Sequence, residues 1–124
     1  MAVIHIIDDD DECREAMSEI VRLFGFSARD FCSGNHYLLY MKQGGYIKPR
    51  AIFSDMNMNG LNGLATLREV LQHYPDVPCY LISGNTVQFK QIDLSAYLIT
   101  EILEKPVSIE KIEGILSSLQ PHTV

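Results

Sequence analysis

The chain has 124 residues, of which 47% are hydrophobic and 21% charged, and its formal net charge is −6. At this length roughly two thirds of the unfolded surface is hidden on folding, so the composition excludes a disordered chain and fits one globular domain over residues 1–124. The acidic balance, with lysines and arginines scattered rather than clustered, excludes nucleic-acid binding through phosphates. Cys13, Cys32 and Cys79 are odd in number and lack metal-ligand spacing, so they read as reduced thiols of a cytosolic protein. No segment has the length of a membrane span. The first apolar run begins without a basic leader, so no signal peptide is expected and the expected location is cytoplasmic.

In chain order, residues 3–7 read as a strand buried on both faces. Apolar residues at Cys13, Ala16, Met17, Ile20, Val21 and Phe24 have helical spacing with one buried face. Asp10 or Asp11 suits the cap of that helix, Glu12 and Glu15 suit its positive end, and Gly25 ends it. Residues 27–31 form a weaker second strand. Ser33 is placed to cap a short helix through Tyr37 and Met41, stopped by Gly44 and Gly45. Residues 51–54 are a third strand, followed by a loop with Asn57, Asn59, Gly60 and Gly63. The next helix carries Leu64, Leu67, Val70, Leu71 and Tyr74, with Pro75 just beyond. Residues 79–82 are a fourth strand, and residues 86–97 read as a helix. Residues 99–103 are a fifth strand, of which the second half pairs. Ser108 caps a last helix bearing Ile109, Ile112, Ile115, Leu116 and Leu119.

Strands alternating with helices imply parallel βαβ units and an α/β, doubly wound sheet with helices on both faces. Ligands of such sheets sit beyond the carboxyl ends of the strands. There the chain carries Asp8 to Asp11, Asp55, Ser83-Gly84-Asn85 and Lys105-Pro106. Two carboxylates about 4 Å apart repel by roughly 4 kcal/mol at an effective dielectric of 20. Three together take up a proton or bind a cation. All-oxygen ligands favour Mg²⁺ or Ca²⁺, and Mg²⁺ held by one or two carboxylates commonly serves phosphoryl chemistry. A lysine at the same edge neutralises phosphoryl oxygens, a hydroxyl donates to one, and an aspartate there is a candidate nucleophile.

The segments I-H-I-I-D-D (ending in Asp8 and Asp9), I-F-S-D-M-N-M-N-G-L-N-G (Asp55 to Gly63), L-I-S-G-N (Ser83) and L-E-K-P-V (Lys105), in this order and each at a strand end, resemble the response-regulator receiver family. The family pairs with histidine kinases. The resemblance implies a flavodoxin-like fold with strand order 2-1-3-4-5 and five helices. It implies Asp55 as phosphoacceptor, Ser83 as the hydroxyl that moves toward the phosphoryl group, and Lys105 as its ionic partner. It implies Mg²⁺ held by Asp8, Asp9, Asp55 and the backbone carbonyl of Asn57, and a cis bond before Pro106. It further implies phosphorylation by a histidine kinase or a histidine phosphotransfer protein, and a protein-binding surface that reads out the state of Asp55. Oligomeric behaviour would be a monomer or a phosphorylation-linked dimer. As only five residues follow Leu119, the expectation is a stand-alone receiver without an output domain. Its output is then a downstream protein contact, or transfer of the phosphoryl group to a histidine phosphotransfer domain, with no direct DNA binding and no membrane.

The residues weigh against other readings. Asp10 and Asp11 suit helix capping better than metal binding. The four histidines, His5, His36, His73 and His122, lack ligand spacing. The glycines after Asp55 make no dinucleotide fingerprint. A phosphatase of the haloacid-dehalogenase type needs a second aspartate two residues after the nucleophile, where Asn57 stands, so no enzyme is expected beyond catalysis of the chain's own phosphorylation and dephosphorylation. A phosphorylation-independent binding module is disfavoured by the intact set of Asp8, Asp9, Asp55, Ser83 and Lys105. Three departures concern signal output. Asn59 replaces the family's usual proline, Ile102 its usual aromatic residue, and Ser95-Ala96-Tyr97-Leu98 the usual Gly-Ala before the fifth strand.

Overall fold

The computed structural model describes residues 2–85 and 98–120. Five strands, β1 (Val3–Ile7), β2 (Ser27–Phe31), β3 (Ala51–Asp55), β4 (Cys79–Ser83) and β5 (Glu101–Glu104), alternate with helices α1 (Asp11–Leu23), α2 (Gly34–Lys42), α3 (Gly63–His73) and α4 (Ile109–Leu119). All strands are parallel, in the order β2-β1-β3-β4-β5. The helix expected over 86–97 lies outside the described residues, which hold four of the five expected helices.

The side-chain alternation of a strand divides the core into two layers. Ile4, Ile6, Phe53, Tyr80, Ile82 and Leu103 pack with Val21 of α1 and with Ile112, Ile115 and Leu116 of α4. On the other face Ile7, Phe31, Ile52, Cys79 and Leu81 pack with Tyr37, Leu38 and Met41 of α2 and with Leu67, Val70 and Leu71 of α3. Residues of β3 and β4 are buried throughout, as a central parallel sheet covered on both faces requires.

Local chemistry sets the helix starts. Asp10 caps α1 by accepting from the amide of Cys13 at 3.1 Å, and Ser33, Asn62 and Ser108 cap α2, α3 and α4 in the same way. Such a side chain satisfies one of the orphan amides of the first turn. Gly25 follows α1 with φ 88°, a left-handed conformation that costs glycine little. Four strand boundaries differ from those read in the sequence. Both β3 and β4 run one residue further, to Asp55 and Ser83, because Met56 N–H still donates to the Ile82 carbonyl at 2.8 Å and Lys105 N–H to the Ser83 carbonyl at 2.9 Å. The fifth strand begins two residues later than expected, at Glu101, and ends one later, at Glu104. Ile99 is nonetheless buried in the core layer that holds α2 and α3, so its apolarity reports packing rather than strand pairing.

Candidate functional site

At the carboxyl edge of the sheet, backbone pairing past the strand ends brings the chemistry together. Asp8 N–H donates to the Phe31 carbonyl at 3.1 Å, which fixes the residue after β1 against the end of β2. Asp55 is the last residue of β3, in register with Ile82 of β4. The amide of Lys105, just past β5, is held by Ser83. The peptide bond before Pro106 is cis, as expected.

Carboxylate oxygens of Asp8, Asp9 and Asp55 lie within 4.8 Å of one another. Asp55 is 5% exposed, and its Oδ1 lies 2.7 Å from Lys105 Nζ. That contact is an ion pair more than an aligned hydrogen bond, because Oδ1 is buried without a hydrogen-bond donor of good geometry. A buried carboxylate oxygen in this condition is costly unless charge compensates it. Burial raises the pKa of Asp8, and the negative charges of Asp55 and Asp9 add to that against the Asp10 amide and Lys105, which lower it. Burial alone would lower the Lys105 amine, but the Asp55 and Asp8 carboxylates more than offset this and raise it. The edge therefore has three crowded carboxylates and one ammonium, whose charge alone compensates the buried Asp55 oxygen. An all-oxygen set of this kind fits a hard divalent cation that keeps several waters.

The acidic residues are held by their neighbours. Asp8 Oδ1 accepts from the Asp10 amide at 3.0 Å, and the Asp8 carbonyl accepts from Arg14 Nη1 at 2.8 Å. Asp9 Oδ2 accepts from the backbone amide of Asn59 at 3.1 Å. Ser83 is fully buried at the end of β4. Its hydroxyl donates to the Asn85 carbonyl and accepts from the Asn85 amide, each at 3.2 Å. Asn57 is exposed in the loop that leaves β3. Beside the carboxylates, a cleft of about 550 Å³ runs between α1 and the segment after β5, lined by Met17, Ile20, Phe53, Ile82 and Ile112 and reaching Asp55 and Lys105.

Two contributors escaped the reading of strand ends. Gly63, the first residue of α3, returns its amide to the Met56 carbonyl at 2.9 Å and closes the loop. A Cβ on Gly63 would stand 2.1 Å from the carbonyl oxygen of Asp55, so only glycine lets α3 start this close to the site. Arg14, on the first turns of α1, is the other. Its ion pairs with Asp11 at 2.6 Å and Asp30 at 3.7 Å hold the guanidinium against the Asp8 backbone. Spacing gave no sign of either role, because both depend on contacts between distant elements.

Comparison with known proteins places this edge in context. A family model described as "Response regulator receiver domain" matches residues 4–117. The C4-dicarboxylate transport transcriptional regulatory protein DctD of Rhizobium meliloti (strain 1021) is 33% identical over 82 residues, 66% of this chain and 17% of that protein. The chain spans 25% of the length of the DNA-binding transcriptional regulator NtrC of Salmonella typhimurium, at 22% identity and 97% of this chain. The chemotaxis protein CheY4 of Vibrio cholerae superposes with a TM-score of 0.83 at 22% identity, covering 97% of this chain and 99% of that one. The response regulator protein TrrA of Thermotoga maritima, in complex with Mg(2+)-BeF, superposes with a TM-score of 0.80 at 22% identity, covering 97% of this chain and 100% of that one.

Proposed function

The chain belongs to the response regulator receiver family, signalling modules that histidine kinases phosphorylate and that act on downstream effectors, and on that premise we propose that Mg²⁺-dependent phosphorylation of Asp55 switches its protein-binding surface. The observation that carries this reading is the buried Asp55 carboxylate, 2.7 Å from Lys105 Nζ and grouped with Asp8 and Asp9 within 4.8 Å.

In this reading a carboxylate oxygen of Asp55 attacks the phosphorus of a phosphohistidine in line. The O–P bond forms as the N–P bond breaks, and the imidazole leaves with the bonding electron pair and takes up a proton. The donor is a histidine kinase or a histidine phosphotransfer protein. Asp8, Asp9, Asp55 and the Asn57 carbonyl would hold the metal. Bound Mg²⁺ would offset the charge on the phosphoryl oxygens. Lys105 moves from the carboxylate of Asp55 to a phosphoryl oxygen, keeping a full opposite charge beside the new group. Ser83 exchanges its bond to the Asn85 carbonyl for one to the phosphoryl group. The added charge and acceptors then bias a surface that includes β5. The output is a protein contact made by this domain.

The test is intact mass after incubation with acetyl phosphate and Mg²⁺. One phosphate adduct is expected, dependent on Mg²⁺ and absent from Asp55→Asn. No adduct, or equal labelling of Asp55→Asn, overturns the reading.

A further inference from the structure

Asn59 stands where proline is usual in the family that the sequence resembles. Proline has no backbone N–H. In this chain the N–H at position 59 exists, and it donates to Asp9 Oδ2 at 3.1 Å. The bond spans 50 positions of sequence and ties the turn after β1 to the loop after β3.

We propose that the backbone amide of Asn59 is a positioning group for divalent-cation binding, holding the Asp9 carboxylate inward beside Asp8 and Asp55. The proposal rests on the reading of this edge as a Mg²⁺ site.

The physical case begins with repulsion. Three carboxylates with oxygens within 4.8 Å repel one another, and the one with most freedom turns away first. Asp55 is buried and held near Lys105, and Asp8 accepts from the Asp10 amide. Asp9 has the Asn59 amide. A hydrogen bond from a neutral N–H to an ionised oxygen is stronger than one between neutral groups. It occupies one oxygen of the carboxylate and fixes the direction of the other. Partners that orient a ligating carboxylate raise metal affinity because less freedom is lost on binding. The third carboxylate of the group, Asp55, is buried, and its Oδ1 has only the charge of Lys105 at 2.7 Å and no aligned donor.

The side chain of Asn59 takes no part in this bond, which allows a clean comparison. Asn59→Ala keeps the N–H and Asn59→Pro deletes it. Mg²⁺ is titrated into the ¹⁵N-labelled, unphosphorylated chain and followed by amide chemical shifts. The dissociation constant is expected to rise roughly three- to tenfold in Asn59→Pro, the loss of one modest hydrogen bond. It should stay within about twofold of wild type in Asn59→Ala. An unchanged or tighter constant in Asn59→Pro, or an equal loss in both variants, overturns the proposal.

Hydrogen exchange guards against a misfolded proline variant. In the wild type the Asn59 amide should exchange at least about fivefold more slowly than in Asp9→Ala, as a bonded amide does. Equal exchange rates overturn the proposal whatever the proline variant does. Failure of the wild type to bind Mg²⁺ at all would sink the functional reading and this inference with it. Wild-type binding with no difference between the two substitutions would sink the inference alone.

Discussion

His5 shows what a single buried side chain contributes apart from the site. It lies in the middle of β1, fully buried, and its Nδ1 bonds the Tyr37 hydroxyl at 2.8 Å. Tyr37 in turn bonds the hydroxyl of Tyr46. Burial, and secondarily the positive charge of Arg29, push the His5 pKa from 6.5 down to about 4. Between these values the unfolded chain binds a proton that the folded chain refuses, so stability rises with pH across that window. The contribution is fully present above pH 6.5 and is lost as pH falls toward 4. Going from pH 7 to pH 5 should cost on the order of 2 kcal/mol through this group. Urea unfolding of wild type and His5→Phe at both pH values checks it. The acid loss should be smaller in His5→Phe by about that amount, and an identical loss in the two proteins would refute the assignment.

Among the elements, β5 differs most between expectation and structure. Leu103 is buried, Glu101 and Ile102 are half-buried and Glu104 is exposed, and Ile102 packs against the core layer that holds α2 and α3 in register with Leu81. By resemblance to the family an aromatic residue belongs at position 102, moving inward as the hydroxyl residue at position 83 moves. A branched aliphatic side chain has no ring to carry between a buried and an exposed site, so the state of Asp55 should reach the outside of β5 only weakly. Restoring the ring should change that transmission and leave the chemistry of Asp55 alone. With beryllofluoride and Mg²⁺ as phosphoryl mimic, amide shift changes in Ile102→Tyr should extend over residues 98–112. In the wild type they should stay near Asp8, Asp55, Ser83 and Lys105. Superimposable shift maps would remove the idea, as would failure of acetyl phosphate to label Ile102→Tyr.

For the whole molecule, the acidic edge sets function against stability. Three carboxylates are drawn together by the same strand pairing that builds the core, and their repulsion opposes that pairing when no cation is present. A cation that binds only the folded chain stabilises it by mass action, about 1.4 kcal/mol at ten times its dissociation constant. Mg²⁺ should therefore raise the urea midpoint at constant ionic strength. The rise should be lost in Asp8→Asn. An equal rise in both proteins would mean that the stabilisation does not come from this edge.

The sequence by itself determined the alternation of strands and helices, since apolar periodicity and capping side chains are local properties of the chain. It also marked Asp8, Asp9, Asp55, Ser83 and Lys105, because each lies beside an apolar run that must be buried, and the ends of parallel strands share one edge. Tertiary structure decided what those residues touch. Ile99 has the apolarity of a strand residue because burial in the core and pairing with β4 demand the same kind of side chain. The 2.7 Å approach of Lys105 to Asp55, the glycine required at position 63 and the amide of Asn59 on Asp9 all join segments far apart in sequence. None is written in a local pattern, because a backbone N–H or an absent Cβ leaves no signature until another strand end is brought within reach.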